Sequence, residues 1–335
     1  MTPPQVLLLT PGFHSYDQSI SRGFEAAGCR IISHRYDTLG TNTEKLKHKL
    51  RHELPEKLHL VPPPEFDERA SRSAAAAIRR HRPDVVLVIK GDRFDESVHE
   101  AMDAAGARRF LWLYDEVRRT RHDEQSLDRY EGLISYSPLD VAAFRASGRE
   151  CLYVPNAFDP TMQPTPRHTN QVLFIGARYP RRQHLMEALA KAGVPHLAVG
   201  RAWSRHPIDR ARTWEWARPP VTSTRDIDRL EGYALTAGAP AAINIHGDQD
   251  GFTMKTFEVP GVGGVQLVDR DDVSEFYEPG REVLVFHNAD ELIDLSQRLI
   301  ADDRWGDRIR EAGRARTLAE HTFEHRARVV MTLWG

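Results

Sequence analysis

Apolar positions in this chain recur in two rhythms. Short continuous runs bounded by Gly, Pro or charged residues predict buried strands, and apolar residues three and four apart predict the helices between them. Gln5 to Thr10 is the first such run, ended by Pro11-Gly12. A helix over Ser19 to Ala27 stops at Gly28, and Arg30 to His34 is a second strand. Thr41 to Leu60 is charged and helical in pattern, with Leu46, Leu50, Leu54 and Leu58 spaced by four, and Pro62 to Pro64 breaks it. Beyond lie an Ala-rich helix (Arg69 to Arg80), strand Val85 to Lys90, helix Val98 to Ala105 and strand Arg109 to Tyr114. Strand Leu133 to Ser137, helix Leu139 to Ser147 and strand Cys151 to Val154 complete a first alternating set. Such alternation predicts a parallel sheet covered by helices.

Four prolines between Pro155 and Asn170 interrupt the rhythm, and this segment reads as an interdomain linker. The pattern then restarts: strand Gln171 to Ile175, helix Arg181 to Ala192 and strand Val194 to Val199. Trp203 to Arg225, rich in Trp, Arg and Pro, resists assignment. Ile227 to Leu235 reads as a helix. Strand Ala241 to Ile245, a polar loop His246 to Gly251, a short helix Phe252 to Val259 cut by Pro260-Gly261, and strand Val265 to Asp269 follow. The remainder predicts helix Val273 to Phe276, strand Glu282 to Phe286, helix Ala289 to Ala301, a helix from Asp302 to Leu318 broken at Gly313, and a final helix Thr322 to Trp334. The expectation is α/β, with two doubly wound, Rossmann-like domains: residues 1–160 with a returning helix over 320–335, and residues 170–318.

Composition adds little against this. At 335 residues, 40% hydrophobic and 28% charged, the chain can bury two cores. A net charge of −2 offers no whole-chain case for nucleic acid. Cys29 and Cys151 form no metal-spaced pair, which fits a reducing cytoplasm. No apolar run is long enough to span a bilayer or act as a signal peptide. Neither G-x-G-x-x-G, P-loop, nucleophile elbow, C-x-x-C nor H-E-x-x-H occurs.

The chemistry concentrates between Ile243 and Asp269. Amides of Gly251, Phe252 and Thr253 at a helix start suit an anion or sugar hydroxyls, and Lys255 adds a cation. Glu258 can accept two hydrogen bonds from a vicinal diol such as ribose, and Asp250 can accept from sugar hydroxyls. Taken alone, Asp250 is more simply an N-cap and Glu258 a solvated charge. Trp203, Trp214 and Trp216 suit either a stacking surface or a core.

Several ordered blocks change the weighting. Lys255-Thr256-Phe257-Glu258-Val259-Pro260 with Gly263-Gly264, Phe276-Tyr277-Glu278-Pro279-Gly280 with Glu282-Val283, Glu291-Leu292, Glu311-Ala312-Gly313 and His321-Thr322-Phe323-Glu324-His325-Arg326 follow one another, after Arg82-Pro83-Asp84 through Lys90-Gly91 in the first half. In these blocks the chain resembles GT-B fold glycosyltransferases, specifically the group named after the spore-maturation protein CgeB. The resemblance implies two Rossmann-like domains facing each other across a cleft, the first binding acceptor and the second a nucleoside-diphosphate sugar, UDP- or dTDP-linked. It implies a hexosyltransferase that needs no metal or other cofactor.

Against the retaining GT-B pattern E-x7-E, Glu258 takes the ribose position and Asp250 the sugar position, with Asp in place of the family's Glu; Lys255 stands where the group has Arg. The implied donor set is Gly176, Arg178, Arg182, His246, Gly251, Phe252, Thr253, Lys255, Thr256 and Glu258. Gly12, Phe13, Lys90, Asp115 and Glu116 are implied on the acceptor side, and His14 or Asp17 would serve as base if the reaction inverts. Asp248-Gln249-Asp250 imitates a metal-binding D-x-D, but in the wrong domain for it, so no metal site is expected. Two rivals stand beside this reading: a sugar-nucleotide epimerase on the same scaffold, needing carboxylates from both domains, and a non-catalytic nucleotide-sugar-binding module. The sequence leaves base, sugar, acceptor and oligomeric state open.

Overall fold

The computed structural model describes residues 3–37 and 65–335; the expected helix Thr41 to Leu60 and the break Pro62 to Pro64 lie outside the described residues. The chain divides into two compact units, Met1–Pro155 with Phe323–Gly335, and Asn156–Thr322.

The first unit runs β1 (Gln5–Thr10), α1 (Tyr16–Ala26), β2 (Arg30–Arg35), α2 (Glu65–His81), β3 (Val85–Ile89), α3 (Glu96–Ala105), β4 (Arg108–Leu113), α4 (Glu124–Leu127), β5 (Gly132–Ser135), α5 (Pro138–Ala146) and β6 (Cys151–Tyr153). Its six strands are all parallel, in the order β2-β1-β3-β4-β5-β6. The unbroken apolar runs of β1 and β3 are fully buried because helices cover both faces of the sheet. Direction reverses between β1 and β3, so the loops after these strands flank the switch point where open α/β sheets form crevices. The last helix of the chain, α12 (Phe323–Met331), packs on α1, where a Cβ on Gly23 would lie 2.5 Å from Phe323 Cβ.

The second unit runs β7 (Val172–Ile175), α6 (Pro180–Lys191), β8 (His196–Val199), α7 (Pro207–Thr213), β9 (Ser223–Thr224), α8 (Arg229–Gly238), β10 (Ala242–Asn244), α9 (Lys255–Gly261), β11 (Gln266–Val268), β12 (Leu284–Val285), α10 (Ala289–Ala301) and α11 (Asp303–Glu320). Its strands are likewise all parallel, in the order β12-β11-β10-β7-β8-β9. The reversal falls between β7 and β10, the doubly wound arrangement of two mononucleotide halves.

Three expectations are corrected. The segment after Pro155 is not a free linker: Ala157 and Phe158 are buried, and the Arg167 and Thr169 amides donate to Ala234 and Gly238. The predicted break at Gly313 is absent, and α11 runs straight through it. A Cβ there would stand 2.5 Å from the Glu282 carbonyl oxygen, so the glycine serves close approach. Pro260 lies inside α9 instead of ending it. Proline cannot donate to the Thr256 carbonyl, and Gln266 Nε2 donates to it instead at 3.3 Å.

Trp203 to Arg225 resolves into α7, β9 and two kinds of tryptophan. Trp203 is wholly buried, its Nε1 donating to the Gly176 carbonyl at 2.9 Å, whereas Trp214 and Trp216 are 69% and 65% exposed. Among the described residues no helix is long and apolar enough to cross a membrane.

Candidate functional site

In the second unit the expected residues gather at the carboxyl ends of β7 and β10. Arg182, in the first turn of α6, bridges the switch point. Its Nε and one terminal nitrogen donate to the Ile245 carbonyl at 3.0 and 2.7 Å, and the other donates to Ala177 at 3.2 Å. Its guanidinium lies over Tyr179 and Phe174 at 5.0 and 5.6 Å. Much of Arg182's donor capacity therefore holds the two strand ends together. Gly176 lies beneath it, where an added Cβ would meet Phe174 at 3.3 Å and Arg182 at 3.7 Å. Arg178 turns elsewhere and is tied to Gln183 and Glu215, while Arg181 pairs with Asp269 at 2.7 Å.

The start of α9 is set by a buried polar cluster. Asn244 Nδ2 donates to Thr256 Oγ1 at 3.0 Å and to Gln266 Oε1 at 3.2 Å, and Thr253 Oγ1 donates to Asn244 Oδ1 at 3.3 Å. These side chains lock β10, β11 and the first turn of α9 into one arrangement because each buried polar atom finds a partner. His246 is buried beside them. Its Nδ1 and backbone amide both meet Asp269 Oδ1, at 2.9 and 3.0 Å, which orients the ring and leaves Nε2 toward Thr256 at 3.5 Å.

The loop between His246 and Lys255 is not helical, contrary to the expected helix start at Phe252. Phe252 is buried against His246, Phe276 and the guanidinium of Arg270. Arg270 also donates to the carbonyls of Gln249, Asp250 and Gly251 at 3.0–3.2 Å. That staple takes up the Gly251 carbonyl, the first acceptor of a helix starting at Phe252, and the helix begins at Lys255. The amides of Gly251 through Lys255 donate to no protein acceptor among the described residues.

Lys255 is half-buried, and among the described residues its ammonium makes no ion pair or hydrogen bond. Burial pushes it below the ordinary lysine range; Arg182 adds to that shift and Glu258 opposes it. Glu258 is buried, with Oε1 accepting from Tyr233 Oη at 2.5 Å and facing Arg229 Nε at 3.6 Å. Asp250 is half-buried in the stapled loop.

In the first unit the expected residues follow β1, β3 and β4. Gly12 donates its amide to Asp37 at 2.6 Å, and Phe13 packs edge-on to Tyr114. His14 is exposed, and both it and the half-buried Lys90, at φ +67, are in left-handed backbone. Such non-glycine conformations persist only where the surroundings enforce them. Lys90 Nζ pairs with Asp115 at 3.0 Å, and its carbonyl accepts from His122 Nε2 at 2.7 Å. Asp17 is buried in a bidentate pair with Arg35 at 2.7 and 2.8 Å, and Glu116 is buried against Arg119 at 3.1 Å. The structure thus brings Lys90 and Asp115 together and commits Asp17 and Glu116 to arginines.

Sequence reasoning missed Arg229, Tyr233, Asp269 and Arg270 as neighbours of the candidate site in the second unit. The i, i+4 spacing of Arg229 and Tyr233 on α8 was the one legible sign that they share a face.

Comparison with known proteins agrees with this architecture. A family profile described as "Glycosyl transferase-like" matches residues 181–332. No curated protein matches the chain in sequence. Among solved structures, a glycosyltransferase from Rickettsia africae aligns with TM-score 0.64 at 12% identity, over 99% of this chain and 98% of that one. HepE from Anabaena, solved in complex with UDP, aligns with TM-score 0.63 at 14% identity, over 98% of each chain. Sucrose-phosphate synthase from Thermosynechococcus elongatus aligns with TM-score 0.60 at 14% identity, over 99% of this chain and 98% of that one. These likenesses, with the two parallel six-stranded sheets, establish the GT-B fold.

Proposed function

We propose that this chain is a glycosyltransferase of the CgeB-like group, moving a hexose from a UDP- or dTDP-sugar to a hydroxyl or amine acceptor. The observation that carries the reading is Lys255, a half-buried cation that among the described residues makes no ion pair, next to a run of backbone amides without protein acceptors among those residues. Holding an unpaired ammonium against burial is unfavourable, and a bound diphosphate would relieve it. Glu258 would accept from the ribose hydroxyls and Asp250 from the sugar. His246 and Thr256 would line the floor, with Gly176 giving the backbone room.

Transfer breaks the bond between the sugar's anomeric carbon and the β-phosphate oxygen, and negative charge grows on the leaving diphosphate. Lys255, the amides of Gly251 to Thr253, Arg182 and, more remotely, Arg178 would stabilise that charge, supplying electrostatically what a metal supplies in other glycosyltransferases. The bond to the acceptor oxygen or nitrogen forms as that atom gives up its proton. The Asp250–Glu258 spacing supports retention. Gly12, Phe13, Lys90 and Asp115 would receive the acceptor; with Asp17 and Glu116 held by arginines, His14 is the freer base of the first unit were the reaction to invert. A cytoplasmic location, where nucleotide sugars are available, suits this activity.

The test is release of free nucleoside diphosphate from a panel of UDP- and dTDP-sugars, with and without a cell extract as acceptor source. Release from at least one donor, lost in Lys255→Met and Asp250→Ala, is expected. No release from any donor would overturn the proposal.

A further inference from the structure

Glu258 does not stand alone, and its partners form a chain with a fixed direction. Arg229 and Tyr233 lie one turn apart on α8, with the guanidinium 5.2 Å from the ring centroid. Arg229 Nε donates to Tyr233 Oη at 2.8 Å, and Tyr233 Oη donates to Glu258 Oε1 at 2.5 Å. All three side chains are largely withdrawn from water, Arg229 being 11% exposed and Glu258 7%. Arginine can only donate, so the tyrosine oxygen must accept from it, and tyrosine has a single proton to pass on. That proton goes to Oε1. The sequence of donors therefore makes Glu258 Oε1 an acceptor held in a fixed place, and the buried charge of Arg229 backs it.

Resting on the donor-site reading above, we propose that Arg229 and Tyr233 are positioning residues that make this site select a ribonucleoside diphosphate over its deoxy counterparts. A carboxylate held in place by Tyr233 and Arg229 is matched by the two hydroxyl donors of ribose. An analogue without those hydroxyls forfeits the hydrogen bonds that the held carboxylate is placed to accept, which is how polar sites reject analogues lacking a hydroxyl. Within the UDP-or-dTDP choice this favours UDP, since the deoxyribose of dTDP lacks the 2′-hydroxyl.

The experiment measures dissociation constants of the full chain for UDP and 2′,3′-dideoxy-UDP, with the GDP and ADP pairs beside them, and repeats them on Tyr233→Phe and Glu258→Gln. Wild type is expected to prefer the ribonucleotide by about tenfold or more, the equivalent of one or two hydrogen bonds. Tyr233→Phe should shrink that preference several-fold and raise KM for the sugar nucleotide while leaving kcat nearly unchanged. Glu258→Gln, whose amide oxygen would face Tyr233 and turn its NH2 toward the ribose, should abolish the preference. A purely structural tyrosine would lower the melting temperature yet leave the ribo-to-dideoxy ratio intact, and that result would overturn the inference. Wild type that binds UDP without preferring ribose would also overturn it, while leaving the donor site standing. Binding of no nucleoside diphosphate at all would remove both.

Discussion

Replacing Lys255 by Met removes one positive charge from the loop end of α9 and keeps most of the side chain's volume. Two effects of opposite sign should follow. In the free protein the ammonium is disfavoured by burial and by Arg182, which together outweigh the attraction of Glu258. Removing it should leave the second unit as stable as wild type, or more so. In the complex, the ammonium would make a charge-assisted hydrogen bond to diphosphate, an interaction of about 1.5–3 kcal/mol. Its loss should weaken UDP binding ~10–150-fold. Urea denaturation reads the first effect and isothermal titration calorimetry the second. A variant that binds UDP as tightly as wild type would refute the assignment of Lys255 to phosphate. One that is also clearly destabilised would show that the lysine serves the fold.

Further outcomes follow from the same geometry. Because Lys255 has a lowered pKa in the free protein and bound diphosphate favours its charged form, UDP affinity should be constant at lower pH. It should fall by up to ~tenfold per unit as pH rises through that lowered pKa, and Lys255→Arg should remove the fall, both read by titration across pH. Gly313→Ala places a methyl 2.5 Å from the Glu282 carbonyl oxygen and should cost about 1–3 kcal/mol in chemical denaturation. Trp203→Ala should cost about 3–5 kcal/mol, whereas Trp214→Ala should stay within ~0.5 kcal/mol, since the first indole is wholly buried and the second mostly exposed.

The two alternating α/β halves were legible because short, β-branched apolar runs bounded by turn residues, such as Val85 to Ile89, fit strands buried on both faces better than helices. Helix boundaries were less so. The start of α9 shifted from Phe252 to Lys255 because Arg270, 18 residues beyond Phe252 in sequence, takes the loop carbonyls. Gly313 read as a break because local propensity carries no trace of the Glu282 carbonyl packed against it. In the candidate site, Lys255 and Glu258 stand out through a local motif. Their settings were not: Tyr233 and Asp269 reach Glu258 and His246 across 25 and 23 residues, distances only the sheet topology closes. The same limit hid the pairing of Asp17 with Arg35, which withdraws a carboxylate that looked available for proton transfer.

If the carboxyl ends of β7 and β10 hold a nucleoside diphosphate through Lys255 and Glu258, binding should stabilise the folded chain. A thermal-shift panel of UDP, dTDP, GDP and ADP and their sugars, run on wild type and on Glu258→Ala, tests it most directly. At ligand about 100-fold above Kd, linkage adds about 2.7 kcal/mol, which for a unit of this size raises the melting temperature by roughly 5–10 °C. Such a rise is expected for at least one nucleotide in wild type, with its near-disappearance in Glu258→Ala. No rise with any nucleotide, or an equal rise in both proteins, would contradict it.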